Sequence, residues 1–266
     1  MSHRPRKRFG QHFLHDPGVI RRIIAAIDPR PGEQVVEIGP GRGAITAPLL
    51  EKLGELDVVE LDRDVIPLLE QTCASLGRLH VHSADALRFD FGALARSGQP
   101  LRLVGNLPYN ISTPLLFHLL AQQTPIRDMH FMLQKEVVTR MAAQPGGKDY
   151  GRLTVMLAAS CDVEHLFDIG PGAFMPPPRV RSAFVRLTPW PDPPFPEADP
   201  ALFARVVSQA FSMRRKTLRN SLKPLMDADL IVAAQCDPSA RAETLAPSDF
   251  ARLAVALASQ PDPEGG

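Results

Sequence analysis

Short apolar runs alternate with longer amphipathic stretches along most of the chain. Six runs resemble strands, and the first two have the short, β-branched character of strands buried in a parallel sheet. The six runs are residues 34–38, 56–61, 79–83, 101–105, 129–133 and 183–187. Residues 45–53 and 114–122, which lie between runs, have helical character. Strands that alternate with helices predict βαβ units and a doubly wound α/β sheet.

A proline-rich stretch at residues 188–200 (TPWPDPPFPEADP) interrupts this pattern. Proline fixes φ and lacks a backbone donor, so neither a helix nor a central strand runs through the stretch. It predicts a domain at residues 1–188, a linker at 189–200 and a second domain at 201–260. The last residues, 261–266, predict a disordered tail.

The region after the linker lacks strand alternation and predicts a small helical domain. Apolar Phe211, Leu218, Leu222 and Leu225 fall on one side of a helix drawn through this region. The opposite side carries a basic stripe, which predicts an RNA-binding surface. The residues concerned are Arg214, Arg215, Lys216, Arg219 and Lys223.

Composition narrows the class of protein. The 266-residue chain is 44% hydrophobic, and no apolar run reaches the roughly 18 residues of a membrane span, so we expect a soluble, cytoplasmic, monomeric protein. Three widely spaced cysteines show no zinc or disulfide pattern, and no metal is expected. The net charge of +1 hides basic clusters at residues 4–8, 179–186 and 214–223. Each cluster taken alone is more typical of a solvated face than of a nucleic-acid-binding surface.

A glycine-rich turn follows the first predicted strand in VVEIGPGRGAIT, residues 35–46. Gly39, Gly41 and Gly43 allow a ligand to approach the backbone closely, although some glycine turns bind nothing. Ala44 occupies the place of the third glycine in a dinucleotide-binding turn. The pattern therefore favours S-adenosylmethionine, which has a ribose and an adenine but no phosphates, over a nicotinamide cofactor.

Two acidic residues follow later strands. Glu60 ends the second strand, where a carboxylate can accept hydrogen bonds from ribose hydroxyls; a plain surface glutamate is the alternative. Asp85 follows the third strand and can accept from the adenine amine, or it can cap a helix. Both positions suit a nucleoside cofactor.

Asn106-Leu107-Pro108-Tyr109 directly follows the fourth strand, at the sheet edge where such folds bind ligands. The lone pair of an aromatic amine is delocalised, so the nitrogen must become tetrahedral before it attacks a methyl group. The Asn106 side-chain carbonyl and the Leu107 backbone carbonyl can each accept one amine hydrogen, with Pro108 fixing the turn. Tyr109 offers a ring for base stacking. Taken alone, the motif is more typical of a tight turn.

These motifs, in this order, resemble the ribosomal RNA adenine dimethyltransferases. The resemblance covers nearly the whole chain and includes RKRFGQHFL (6–14), VELDRD (59–64), GNLPYNISTPL (105–115), FMPPPRVRS (174–182) and RRKTLRNSL (214–222). It implies a Rossmann-like methyltransferase domain with a small helical domain. It also implies transfer of two methyl groups to N6 of each of two adjacent adenosines near the 3′ end of 16S rRNA, in a late precursor of the small (30S) subunit.

The resemblance also implies roles for individual residues. The N-terminal segment, residues 1–16, closes over S-adenosylmethionine, and Phe174 is a second aromatic that sandwiches the target base with Tyr109; a core position for Phe174 is the alternative. At His12 many members have Asn, so the contact there is through either side chain or backbone. The implied cofactor-binding residues are His12, Leu14, Gly39, Gly41, Glu60, Asp85 and Asn106.

Two other functions fit parts of the pattern. DNA adenine and protein glutamine methyltransferases use related Asn-Pro-Pro-Tyr motifs, but Leu107 and the N-terminal segment favour ribosomal RNA. A ribosome assembly or nucleic-acid-binding factor, with methylation secondary, is the alternative from a different class. The intact Asn106, Pro108 and Tyr109 favour an enzyme.

Overall fold

The computed structural model describes residues 12–96, 98–122, 124–213 and 215–260. The strands are β1 (Phe13–Leu14), β2 (Val35–Ile38), β3 (Glu55–Glu60), β4 (Arg78–Ser83), β5 (Leu101–Asn106), β6 (Ile126–Gln134), β7 (Cys161–Ile169), β8 (Phe174–Met175) and β9 (Ser182–Pro189). The α-helices are α1 (Pro17–Ile27), α2 (Thr46–Leu53), α3 (Ile66–Cys73), α4 (Ser112–Ala121), α5 (Lys135–Met141), α6 (Arg152–Ala158), α7 (Pro200–Ala210), α8 (Leu218–Ser221), α9 (Ala228–Ala233) and α10 (Pro247–Ala258).

A seven-stranded sheet with the order β4-β3-β2-β5-β6-β9-β7 organises the first part of the chain. Strands β2 to β6 are parallel, and β9 pairs with β6 in the antiparallel sense. All six predicted strands are present, and the Rossmann-like α/β fold is confirmed. The order reverses at β2, which has β3 on one side and β5 on the other. Such a reversal leaves a cleft at the carboxyl ends of these strands.

Helix α1 illustrates how sequence sets the local structure around the sheet. Asp16 caps it by accepting hydrogen bonds from Gly18 N at 2.7 Å and Val19 N at 2.9 Å, which satisfies donors that a helix start leaves free. Pro17 begins the helix, where its missing N–H costs nothing. The apolar face of α1 packs into the main core, with Ile23, Ile24 and Ile27 all buried.

The amino-terminal edge of the sheet holds a buried ionic network. The Arg102 guanidinium in β5 donates to both carboxylate oxygens of Asp128 in β6, at 2.7 and 3.0 Å. It also donates to Glu33 at 2.8 Å and to the Ile27 carbonyl at 2.8 Å. Burial opposes ionisation of Asp128, but the adjacent His130 ring and Arg102 outweigh it and lower the pKa of Asp128 to about 2.

The chain forms two compact units. The first contains the described residues up to Val138 together with Glu164–Pro189, and the second contains Thr139–Val163 with the residues from Trp190 onward. The predicted domains differ here, because they place residues 139–163 in the first domain. Tyr150 and Val155 are buried in the apolar core of the second unit, and the Tyr150 hydroxyl donates to the Leu245 carbonyl at 2.8 Å.

The single amphipathic helix drawn through residues 211–225 is wrong. Helix α7 ends at Ala210, and only the short α8 follows before Pro224. Thr217 is extended and pairs with Arg241, so the backbone leaves the helical path between the two helices. The predicted separation of apolar from basic residues is still present in the structure. Leu218 and Leu222 are buried, whereas the basic residues of this segment that the structure describes are exposed. These exposed residues are Arg215, Lys216, Arg219 and Lys223.

Candidate active site

The glycine turn connects β2 to α2 at the carboxyl edge of the sheet. Gly39, Gly41 and Gly43 have φ of 68°, 55° and 87°, in the left-handed region that favours glycine. The ring of Phe13 covers the turn so closely that a Cβ at Gly41 would lie 3.3 Å from it. Because Gly41 has no side chain, its backbone can contact the Phe13 ring and still line the adjoining cavity.

Glu60 stands beside this turn at the end of β3. One carboxylate oxygen accepts from Gly41 N at 3.2 Å and the other from Asp62 N at 2.8 Å. Burial raises the pKa of the Glu60 carboxyl, and the two backbone donors oppose that rise. The bonds hold the carboxylate at the cavity wall rather than in solvent.

Asp85 lies in the loop after β4 and also lines the cavity. Its carboxylate accepts from Leu87 N at 3.0 Å, and its backbone carbonyl accepts from Arg88 N at 2.9 Å. The sequence suggests that Asp85 either accepts from the adenine amine or caps a helix. The two interpretations are compatible, because the side chain both stabilises a turn and faces the cavity.

The cavity has a volume of about 340 Å³ and belongs to the first unit. It brings together residues from five separate stretches of sequence. Of the residues predicted for the cofactor and the amine, it is lined by His12, Leu14, Gly39, Gly41, Glu60, Asp85, Asn106, Leu107, Pro108 and Tyr109.

Asn106 ends β5 with its side chain oriented by the N-terminal segment. Its amide nitrogen donates to the His12 backbone carbonyl at 3.2 Å. A carbonyl can only accept, so the NH₂ group must face His12 and Oδ1 must face away. Among the described residues, neither Asn106 Oδ1 nor the Leu107 carbonyl receives a hydrogen bond. Two acceptors are thus available at the mouth of the cavity.

Tyr109 is half-buried, and other residues contact both its hydroxyl group and the face of its ring. Its hydroxyl forms a 2.8 Å hydrogen bond with the buried Ser182 hydroxyl at the start of β9. The His12 ring stacks on it, with centroids 6.1 Å apart and planes at 28°. Burial raises the pKa of Tyr109, so the phenol stays neutral. Sequence reasoning missed Ser182, because its contact spans 73 positions along the chain.

The residues that precede α1 form a short strand over the cavity. Phe13 pairs with Met175 and Leu14 with Phe174, in the antiparallel sense. The His12 ring nitrogen Nδ1 bonds to the Pro176 carbonyl at 2.8 Å. His12 therefore acts on Asn106 through its backbone, while its ring contacts Tyr109 and Pro176. The basic residues at 4–8, with the rest of residues 1–11, lie outside the described residues.

Phe174 differs from its predicted role. It is 2% exposed, belongs to the main apolar core and does not line the cavity. The predicted sandwich of a base between Tyr109 and Phe174 is not formed in this arrangement, because the pairing of β8 with β1 turns Phe174 inward and leaves Met175 outward, at 61% exposure. The alternative of a core phenylalanine describes the structure.

Glu37 is a cavity residue that sequence reasoning missed. It lies in β2, is 2% exposed, and its Oε2 has no hydrogen-bond partner among the described residues. Burial raises the pKa of Glu37 to about 8. A buried carboxyl oxygen without a partner is costly unless a ligand supplies one. Its signal in the sequence is a lone acid within the apolar run VVEI.

The acids around the cavity fit S-adenosylmethionine. This nucleoside carries positive charge on its sulfur and on its amino group, and it has no phosphates that the carboxyl groups lining the cavity would repel. The two available acceptors suit an amine that must become pyramidal before it can attack a methyl group. Fold and cavity together define an S-adenosylmethionine-dependent methyltransferase that acts on a planar amine.

The chain belongs to the ribosomal RNA adenine dimethylase family, whose model matches residues 2–259. It is 59% identical over 260 residues to the ribosomal RNA small subunit methyltransferase A of Pseudomonas aeruginosa, covering 98% of this chain and 97% of that one. The predicted family and its enzymatic class are confirmed, and S-adenosylmethionine is the methyl donor.

Solved structures agree with this assignment. A dimethyladenosine transferase from Plasmodium falciparum superposes with a TM-score of 0.74 at 26% identity, covering 91% of this chain and 96% of that one. The 23S rRNA methyltransferase ErmE superposes with a TM-score of 0.71 at 25% identity, covering 92% and 99%. No helix in the described ranges is long and apolar enough to cross a membrane.

The second unit holds the basic residues predicted to bind RNA. Arg215, Lys216, Arg219 and Lys223 are exposed, whereas Arg214 lies outside the described residues. None of the four lines the cavity of the first unit. A role for them in RNA binding stays a prediction.

Proposed function

We propose that this protein transfers methyl groups to N6 of two adjacent adenosines near the 3′ end of 16S rRNA, which gives N6,N6-dimethyladenosine. The observation that carries the proposal is the orientation of Asn106, whose Oδ1 faces away from the His12 carbonyl beside the available Leu107 carbonyl. The names of relatives more than 55% identical over nearly the whole chain favour small-subunit RNA.

The cofactor is held by residues from the first unit. Glu60 would accept from the ribose hydroxyls and Asp85 from the adenine amine, while Glu37 would face a positive group and Leu14 would cover the methionine end. The exposed side chain of Leu61 offers apolar surface at the same cavity. When bound, S-adenosylmethionine supplies a methyl group on a positively charged sulfur that leaves as a neutral thioether.

The chain's own residues prepare the adenosine amine. In the first transfer Asn106 Oδ1 and the Leu107 carbonyl each accept one N6 hydrogen, which draws the nitrogen towards tetrahedral geometry and directs its lone pair to the methyl group. In the second transfer the methylated amine has one hydrogen left, which one of the two acceptors receives. Tyr109 stacks on the base and holds the amine in place. The nitrogen becomes cationic as the N–C bond forms, and its proton passes to solvent without a dedicated base. Positioning and oriented acceptors supply the catalysis.

The partner is RNA of a late 30S precursor, bound by a cytoplasmic monomer through Arg214, Arg215, Lys216, Arg219 and Lys223. Exposed cations on a folded surface bind phosphates without regard to sequence. A-form RNA is recognised mostly through its shape and backbone, so the N6 site would supply the remaining selectivity.

A ribosome assembly factor with secondary methylation is the second candidate, favoured by exposed basic residues that do not line the cavity. Asn106→Ala separates the two roles. We expect its kcat to fall about 100-fold or more, as when one oriented catalytic hydrogen-bonding group is removed, with subunit binding retained. Unchanged methylation by this variant would refute the proposed role of Asn106.

The test of the function uses isotope-labelled S-adenosylmethionine and small subunits from a strain without this modification. The RNA is then digested to nucleosides and the labelled species identified. Label in N6,N6-dimethyladenosine from 16S rRNA supports the proposal. Parallel reactions with 23S rRNA, DNA and protein test the other acceptors. Label in one of these with none in 16S rRNA would refute the small-subunit assignment, and absence of transfer to any acceptor would favour the assembly factor.

A further inference from the structure

An exposed loop, Met175–Arg181, lies directly beside the proposed base-binding ring. It begins in β8 and is followed directly by Ser182 of β9, whose hydroxyl contacts the Tyr109 hydroxyl at 2.8 Å. Near its start, the Pro176 carbonyl bonds to the His12 ring, which stacks on Tyr109. The 175–181 loop is therefore attached to the Tyr109 neighbourhood at both ends.

The loop combines cationic and apolar side chains at the surface. Arg179 and Arg181 are exposed, and no carboxylate of the described residues lies within 4.0 Å of either guanidinium. Met175 and Val180 are 61% and 43% exposed. Such large apolar side chains beside cations are typical of surfaces that contact bases and sugars as well as phosphates.

Neighbouring cations behave differently. Arg186 in β9 forms an ion pair with Glu164, and Lys135 forms one with Asp168. Positive charge on β9 and at the start of α5 is thus neutralised within the protein, whereas the arginines of the loop are exposed. Arg179 and Arg181 need an anion from outside the protein to form comparable ion pairs.

The backbone of the loop is held in place before any partner binds. The Arg181 carbonyl accepts from Lys135 N at 2.9 Å, and Ser182 pairs with Gln134 across the sheet. Pro176, Pro177 and Pro178 restrict φ in the centre of the loop. Binding through a preordered segment loses little conformational entropy, which favours affinity.

We propose that the 175–181 loop binds the RNA nucleotides that flank the target adenosine, with Arg179 and Arg181 on phosphates and Met175 and Val180 against sugars or bases. This rests on the proposed function, since a base must leave its stack to reach Asn106, and its neighbours then lie against the surface around Tyr109. The loop lies at that surface, in the first unit, and is separate in sequence from the basic residues of the second.

The test compares two double variants with equal loss of charge. Arg179→Ala/Arg181→Ala removes the loop cations, and Arg30→Ala/Arg78→Ala is the control. Arg30 and Arg78 are 71% and 74% exposed, and they lie at the amino-terminal edge of the sheet, away from the cavity. Affinity is measured against salt with both protein-free 16S rRNA transcript and small subunits, and KM and kcat are measured with subunits.

We expect the loop variant to raise the subunit KM by about tenfold, and to lower the slope of log affinity against log salt by about 1.4, the change for two single-strand phosphate contacts. Its affinity for S-adenosylmethionine and the behaviour of the control should match the wild type. Equal slopes and KM in both double variants would overturn the proposal. Weaker binding to subunits with unchanged binding to the transcript would also overturn it, because a ribosomal protein would then be the partner.

Binding to the transcript needs no methyl transfer. A wild-type protein that binds RNA but methylates nothing would refute the proposed function, while the two salt slopes would still decide whether the loop binds RNA.

Discussion

The hydrogen bond between Tyr109 and Ser182 gives the stacking ring a defined orientation. Aromatic side chains rotate about two torsions, and a bond at the hydroxyl end fixes both when the ring is also in contact at its face. Here the face contact comes from His12 and the hydroxyl contact from β9. Ser182 is thus a positioning residue whose effect passes through Tyr109.

A double-mutant cycle measures this coupling. We expect Tyr109→Phe and Ser182→Ala each to lower kcat/KM by roughly five- to tenfold, the effect of one hydrogen bond of about 1 kcal/mol. The double variant should be no worse than either single variant, since both remove the same bond. Tyr109→Ala, which also removes the stacking ring, should cost about 10- to 100-fold. Additive single effects would show that Ser182 acts independently of Tyr109.

The buried Glu37 carboxyl should make stability depend on pH in the cofactor-free protein. Burial raises its pKa from an ordinary 4.5 to about 8. Between these values the folded protein keeps a proton that the unfolded chain releases, so rising pH lowers the free energy of unfolding.

Glu37→Gln should remove this dependence. Between about pH 5 and pH 8, the wild type should lose stability relative to the variant by up to about 1.4 kcal/mol per pH unit. Urea unfolding at three pH values without cofactor measures the difference. Glu51→Gln, at an exposed position on α2, is the control. Its free energy of unfolding should change with pH in parallel with that of the wild type. A constant difference between Glu37→Gln and wild type would contradict the raised pKa.

Among the elements, β5 and β6 are joined at their amino ends by the Arg102 network and carry Asn106 at the opposite end of β5. Both partners of the ion pair are nearly buried, with 7% and 11% of their side chains exposed. Removal of one partner leaves a buried charge without compensation. The network therefore stabilises the central strands without touching the cavity.

We expect Arg102→Leu to lower the free energy of unfolding by about 3 to 5 kcal/mol. Arg127→Leu is the matched control, because Arg127 contacts the same Glu33 and Asp128 but its side chain is 50% exposed; its removal should cost less than about 1 kcal/mol. Urea unfolding measures both. Equal losses of stability would mean that burial does not set the strength of this network.

The sequence predicts an element when the residues of that element alone are enough to reveal it. The buried parallel strands are continuous apolar runs, and all were predicted. Strand β7 (CDVEHLFDI) was missed, because it lies at the sheet edge and carries four acidic or histidine side chains where a buried strand would be apolar. The helix drawn through residues 211–225 failed because the contact of Thr217 with Arg241 is not local.

The same distinction applies to the candidate site. The glycine turn, Glu60 and Asn106 each end or follow a predicted strand, so the sequence places them at one edge. Ser182 and Glu37 gain their roles only from tertiary burial, and the inward turn of Phe174 follows from the pairing of β8 with β1. Long-range pairing of this kind leaves no local pattern in the sequence.

For the whole molecule, the second unit presents exposed cations on turns and on the four-residue helix α8 rather than on one long helix. We expect Arg215→Glu/Arg219→Glu to weaken subunit binding and to flatten its salt dependence, with a slope change of about 0.7 for each phosphate that the variant no longer neutralises. Arg152→Glu/Arg205→Glu makes the same charge change at exposed positions on α6 and α7 of the same unit. If both pairs weaken binding equally, net charge rather than this surface governs the interaction.

Because one oxygen of the Glu37 carboxyl has no partner, cofactor binding should also change the number of protons that the protein holds. A cationic ligand beside this carboxyl favours its ionised form, so binding near neutral pH should release up to one proton to the buffer. The apparent affinity should then tighten as the pH rises towards about 8, where the free carboxyl is half ionised. Heats of binding in buffers with different ionisation enthalpies would count that proton, and Glu37→Gln should release none from this position.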